Sequence, residues 1–217
     1  MQTVVALGAV FIAGAGIAFL AISGASLRLK REQFIREFVF PASLLQSLRK
    51  TYPALEDKDI FLAARALRQY FLVHARSRGR SVGMPSRVVD ALWHDFILDT
   101  KAYAAFCSNA FGSFFHHIPA SKVQPGKSGN EALRLTWKLA CLEENIDPRN
   151  ATRLPLLFAI DSKLKIPDGH TYDLAALRKA PDKNSAAGCA GFGCSGSGSH
   201  GCNGSCNGGC SGGCGGH

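Results

Sequence analysis

The chain has 217 residues with 25 basic and 16 acidic side chains, a formal net charge of +9, which leaves room for one ordinary domain plus appendages and excludes a string of large domains. Every formally charged side chain lies between Arg28 and Lys183. Only this middle stretch can build a substantial core, between an apolar head and an uncharged, glycine-rich tail.

The head offers 19 residues without a charge from Val4 to Ile22. As a helix they span about 28 Å, against a hydrocarbon core of about 30 Å. A cleavable signal peptide would begin with a basic region and use a shorter apolar stretch. Met1 and Gln2 carry no base, although Ser23-Gly24-Ala25 has the small residues of a cleavage site. A buried core helix is the other alternative. The length favours a single transmembrane helix over residues 3–23. Arg28, Lys30, Arg31 and Arg36 crowd its downstream flank, so the positive-inside bias predicts a bacterial inner-membrane protein whose domain faces the cytoplasm. Anionic lipid headgroups are the expected partner of such a basic domain. A reducing cytoplasm would hold the tail cysteines as thiols or metal ligands and not as disulfides.

From Leu27 to Leu48 the apolar residues recur at helical spacing, with a break at Pro41. Tyr52-Pro53 is a stop signal, and Glu56 to Arg76 opens acidic and closes basic, as a helix dipole prefers. Ile60, Ala64, Leu67, Phe71 and His74 share its apolar face, where His74 reads as a packing residue. Residues 77–85 read as a loop. The next segment places Trp93, Phe96, Thr100, Tyr103, Cys107 and Phe111 on one helical face. A second loop is expected over 121–130, a helix from Glu131 ended by Pro148, and one short helix on either side of Pro167-Asp168-Gly169. Cys107 and Cys141 fall within helical patterns and read as small buried hydrophobes. Alternation typical of strands is scarce, so the fold class is mainly α, a helical bundle over residues 28–183.

Within this bundle, Asp90, Trp93, His94, Thr100, Tyr103, Cys107, Phe111, Gly112, His116 and His117 keep the spacing D-x-x-W-H, T-x-x-Y-x-x-x-C and F-G-x-x-x-H-H. On these residues, and on its glycine-rich end, the chain resembles the glycine-rich domain-containing protein family. It departs from that pattern at Phe96, where many relatives carry a second histidine. The resemblance names a domain and implies no reaction.

Asp90 and His94 stand at i and i+4 on one helical face, so the carboxylate can ligate a metal beside the imidazole or orient its ring nitrogen. Beyond a break near Gly112 the chain can fold back to present His116 or His117, and imidazole suits zinc, iron or copper. The competing reading makes these histidines hydrogen-bonded boundary groups beside Trp93, Phe114 and Phe115. Two other motifs lack their context. Ser121 to Ser128 ends in Gly-Lys-Ser, but Ser121 holds the position of the first glycine of a phosphate loop and no strand precedes it. Arg76, Arg78 and Arg80 lack interleaved aromatics, and no nucleic-acid partner is expected.

The tail over 184–217 holds six of the eight cysteines, with Cys202, Cys206, Cys210 and Cys214 at steps of four. Thiolates favour zinc and cuprous copper, and glycine lets a backbone wrap an ion. A disordered low-complexity extension explains the same composition. The combined expectation is a membrane-anchored binding or scaffold protein, with a protein partner. It would hold zinc or another transition metal through Asp90, His94, His116 and His117 and through the four tail cysteines. The alternative is a metal-dependent hydrolase or redox enzyme using Asp90, His94 and one of His116 or His117. A secreted form, with its cysteines in disulfides, is a third.

Overall fold

A computed structural model describes residues 23–117 and 127–179. It is mainly helical, with no β-strand among the described residues. Residues 23–37 form α1, followed by α2 (Ala42–Thr51), α3 (Asp57–Arg76), α4 (Arg87–Leu98), α5 (Thr100–Phe111), α6 (Lys127–Glu143), α7 (Leu156–Lys163) and α8 (Leu174–Arg178). The expected membrane span over 3–23 lies, apart from Ser23, outside the described residues, as does the tail over 184–217. Among the described residues no helix is long and apolar enough to cross a membrane.

The punctuation is local chemistry. Pro41 disfavours helix in the residue before it, so α1 ends at residue 37 and α2 starts at Ala42. Asp59 reaches back to accept a hydrogen bond from the Glu56 N–H at 3.1 Å, at the N-terminus of α3. Asp99 ends α4 at φ −78°, ψ 71°, then caps α5 by accepting from the Ala102 N–H at 3.2 Å. This break corrects the expectation of one continuous apolar face from Trp93 to Phe111. Trp93, Phe96, Tyr103 and Cys107 are all buried, but Thr100 is exposed at the start of a new helix. Two further boundaries differ. α6 begins at Lys127, inside the expected loop, and it ends at Glu143, ahead of Pro148, where Asn145 turns into the left-handed region at φ 55°.

The long α3 is the central element and packs against α2, α4, α6 and α7. Its face of Ile60, Ala64, Leu67 and Phe71 is buried as the periodicity requires. Phe71 meets Phe106 at 4.8 Å and Phe96 at 6.4 Å between ring centroids, and Phe38 closes on Phe106 at 4.7 Å. Each such ring stabilises the fold by about 1.5–3 kcal/mol through burial. Cys107 and Cys141 are free thiols in this core, and burial pushes both up from their ordinary pKa.

Polar groups fix how the helices meet. The N-terminus of α7 is capped from afar. Glu144 Oε1 accepts from the Leu156 N–H at 2.5 Å and Gln69 Oε1 accepts from the Leu157 N–H at 2.8 Å, while the Gln69 amide donates to Glu144 at 2.9 Å. Burial alone would raise the Glu144 carboxyl, but these bonds and Arg153 outweigh it and hold the group below its usual value. Thr136, fully buried on α6, clasps the loop before α4. Its hydroxyl accepts from the Gly83 N–H and lies 2.9 Å from the Gly83 carbonyl. Arg76 is engaged with Glu32 and Glu143, which ties α1, α3 and α6 together and takes that arginine out of the exposed basic run.

The strongest of these junctions is Asp161, a carboxylate only 2% exposed on α7. It accepts from the Ser86 hydroxyl at 2.7 Å, the Arg87 N–H at 2.7 Å, the Val88 N–H at 3.2 Å and the His170 N–H at 2.9 Å. Two of these donors are the free N–H groups that begin α4, where a helix favours negative charge. Gly169 passes so close that a Cβ there would stand 2.8 Å from the Asp161 Cβ. Replacing Asp161 by Ala strands these donors in the interior, and we expect a loss of about 3–5 kcal/mol. Urea unfolding followed by tryptophan fluorescence measures it, and a change under about 1 kcal/mol would show that the anchor is dispensable.

Candidate metal centre

The site is built on the exposed side of α4 and completed by the chain that returns after α5. Asp90 and His94 project one turn apart, as their spacing requires. His94 Nδ1 lies 2.8 Å from the Asp90 backbone carbonyl. A carbonyl only accepts, so Nδ1 carries the proton in this arrangement, and the same nitrogen lies 3.6 Å from Asp90 Oδ2. His117 Nε2 lies 3.0 Å from Asp90 Oδ1, and the two imidazoles stand 4.0 Å apart between centroids. One ligand atom from each of Asp90, His94 and His117 falls within 4.8 Å of the others. Two donors each about 2.1 Å from an ion and about 90–110° apart are separated by about 3.0–3.4 Å, so the Asp90–His117 contact already matches an edge of a coordination shell.

The return segment is held by aromatic packing. Gly112 takes φ 77°, where its N–H reaches the Cys107 and Ser108 carbonyls at 3.1 and 3.0 Å and closes α5. Three residues later the Phe115 ring enters between His74, at 3.4 Å and 12°, and Trp93, at 4.8 Å and 27°. The buried Tyr103 hydroxyl donates to the Phe115 carbonyl at 2.6 Å and accepts from Trp93 Nε1 at 3.1 Å. Phe115 is thereby pinned by ring and by backbone, and His117, two residues on, meets the Trp93 ring in a T-shaped contact at 4.7 Å and the Asp90 carboxylate together.

His116 faces the other way. It is exposed and packs on Phe114 at 4.8 Å. Of the expected Asp90, His94, His116 and His117, the fold brings Asp90, His94 and His117 together and does not bring His116 to them, because neighbouring side chains of this non-helical segment point to different sides. Cys202, Cys206, Cys210 and Cys214 lie outside the described residues. Side-chain exposure grades from 13% at His117 through 36% at Asp90 to 48% at His94, so one side of the trio opens to solvent. Nearby, burial raises the Tyr70 hydroxyl far above its ordinary pKa, and the Asp90 charge adds to that effect. Tyr52 is raised too, by burial first and then by Asp161 and Asp90.

Sequence reasoning missed the parts that position the trio. Tyr103 was a motif position without a stated task, and Phe115 was only a neighbour of the histidines. Asp161 had a signal of its own: a single acid directly after the apolar run Leu156-Leu157-Phe158-Ala159-Ile160 marks a buried carboxylate that needs donors.

A family model described as UCP032817-like matches residues 30–192, and the chain belongs to that family. No curated protein and no solved structure matches it. The finding overturns the resemblance to glycine-rich domain-containing proteins. The motif residues behind that resemblance have tasks that this fold itself imposes: Trp93, Tyr103 and Cys107 fill the core and Gly112 closes a helix. The repeat from Cys202 onward lies beyond the matched range.

Two measurements examine this packing. Tyr103→Phe removes the donor to Phe115 and leaves Trp93 Nε1 without its acceptor, so we expect a loss of about 2–3 kcal/mol in urea unfolding and a broadened His117 ring signal by NMR. An unchanged His117 signal would refute the positioning role. The second concerns His74, whose Nδ1 is buried without a hydrogen-bond partner among the described residues and whose pKa burial lowers from 6.5 to about 4. Below 6.5 the unfolded chain takes up a proton that the native state refuses. This group's contribution to stability therefore falls as pH drops from 6.5 towards 4, by about 3 kcal/mol, and is constant below. His74→Leu should remove that part of the acid sensitivity, read as the difference between the two proteins' urea midpoints at neutral and mildly acidic pH.

Proposed function

We propose that this member of the UCP032817-like family is a membrane-anchored helical protein with a binding or scaffold role, holding a divalent transition metal through Asp90, His94 and His117. The observation that carries this reading is the convergence of three ligand atoms within 4.8 Å on residues whose orientation is set by other contacts. Two imidazole nitrogens and a carboxylate oxygen suit zinc or ferrous iron. The His94 ring is held by its bond to the Asp90 carbonyl and His117 by the Trp93 ring and the Phe115 anchor, the kind of outer support that metal-binding histidines use.

The anchor reading rests on the uncharged stretch Val4 to Ile22 and the basic flank that follows it, which together favour a bacterial inner membrane with the helical domain on the cytoplasmic side. The tail cysteines Cys202, Cys206, Cys210 and Cys214 would form a second, softer site suited to zinc or cuprous copper. One feature favours the enzymatic alternative. Three protein ligands with an exposed side leave a coordination position for water or substrate, as in catalytic and unlike closed structural sites. In that reading Asp90, His94 and His117 hold a hydrolytic or redox metal.

Zinc titration of the full chain in detergent tests the proposal, using a form whose six tail cysteines are replaced by serine so that only the helical domain can bind. We expect one equivalent of zinc. His94→Ala and His117→Ala should each weaken binding by about 100-fold or more, Asp90→Asn by about 10–100-fold, and His116→Ala should leave it unchanged. Absence of zinc, iron and copper binding in the serine form would refute a centre on α4.

A further inference from the structure

The cations of α1 divide into two groups. Arg36 pairs with Glu143 at 2.5 Å, and Arg76 on α3 pairs with Glu32 of α1 at 2.6 Å. Nearer the start of the helix, Arg28, Lys30 and Arg31 form no ion pair among the described residues. Two of them line a groove of about 350 Å³ between α1 and α5, whose walls are Leu27, Lys30, Arg31, Phe34, Ser108 and Asn109. Among the described residues its walls carry cationic and hydroxyl donors and apolar side chains and no carboxylate. Arg31 lies over Gly112, where a Cβ would collide with its guanidinium. That position sets the Arg31 guanidinium at the negative end of α5, beside Lys30 in the same wall, and these two cations supply the attraction for an anion.

The apolar segment that precedes α1 sets where this groove stands. Continued as helix from Ile22, the chain rises about 7–8 Å to Leu27 and about 13 Å to Arg31, while the headgroup layer of one leaflet is about 5–8 Å deep. Lys and Arg side chains reach back along such a helix towards the phosphates. Leu27, 49% exposed, would lie within the headgroup layer and not in open water. We infer that the α1–α5 groove binds the phosphate of an anionic phospholipid, with Lys30, Arg31 and Ser108 as donors and Leu27, on the membrane side, against the glycerol. This inference rests on the anchor reading above.

Native mass spectrometry of the detergent-solubilised full chain, given equal phosphatidylglycerol and phosphatidylcholine, tests it. We expect one retained phosphatidylglycerol in clear preference. Replacing Lys30 and Arg31 together by Gln should weaken retention roughly 30-fold, from the surface attraction of two cations. Ser108→Glu, which places a negative charge in the opposite wall, should weaken it as well, while Arg65→Gln on the exposed side of α3 should not. Equal retention of the two lipids, indifference to both groove variants, or equal competition by inorganic phosphate would overturn the proposal. Release of the chain from membranes by alkaline carbonate would overturn the anchor reading itself, an outcome distinct from an inserted chain that shows no lipid preference.

Discussion

A carboxylate that forms no ion pair among the described residues, buried where two helices meet, is the constraint on which the rest of this fold depends. Asp161 is stabilised by four hydrogen-bond donors, among them the first N–H groups of α4. Taking a charge out of water is expensive, and only near-complete hydrogen bonding offsets it. The arrangement is therefore demanding in geometry: α7, the start of α4 and the turn at His170 can meet in few other ways without stranding a donor. The orientation of α4 determines which side of it faces solvent, and with it where Asp90 and His94 stand.

The second constraint is the insertion of Phe115 between His74 and Trp93. It turns a short return segment without secondary structure into a fixed one. The Tyr103 hydroxyl satisfies two partners at once, so the aromatic core and the candidate centre share one hydrogen-bonded network. The histidine used for packing and the histidines used in the trio are thus separated by function within one cluster. His74 is kept neutral by burial, while His94 and His117 meet a carboxylate at the surface.

The helical class, the stop at Tyr52-Pro53, the buried face of α3 and the paired short helices around Pro167 were legible in the sequence. Each follows from local spacing, capping or the geometry of proline, which neighbours a few residues apart decide. The i, i+4 placement of Asp90 and His94 was legible for the same reason. The break at Asp99 was harder to see, because the apolar period runs through it and only the Asp99 side chain, capping Ala102, marks the new start. The family resemblance failed because the spaced positions Trp93, Tyr103 and Cys107 that carried it serve core packing in this fold.

By itself the sequence determined the inventory: a charged helical middle, an uncharged head and tail, and a carboxylate and an imidazole one turn apart on a helix. Those are properties of composition and period. Only the tertiary structure decided that His117 and not His116 joins them, since that choice depends on which way an extended segment turns once Phe115 is held. Only the tertiary structure revealed Asp161 as a helix anchor, because its four donors come from residues 86–88 and 170, and no local pattern links positions so far apart along the chain.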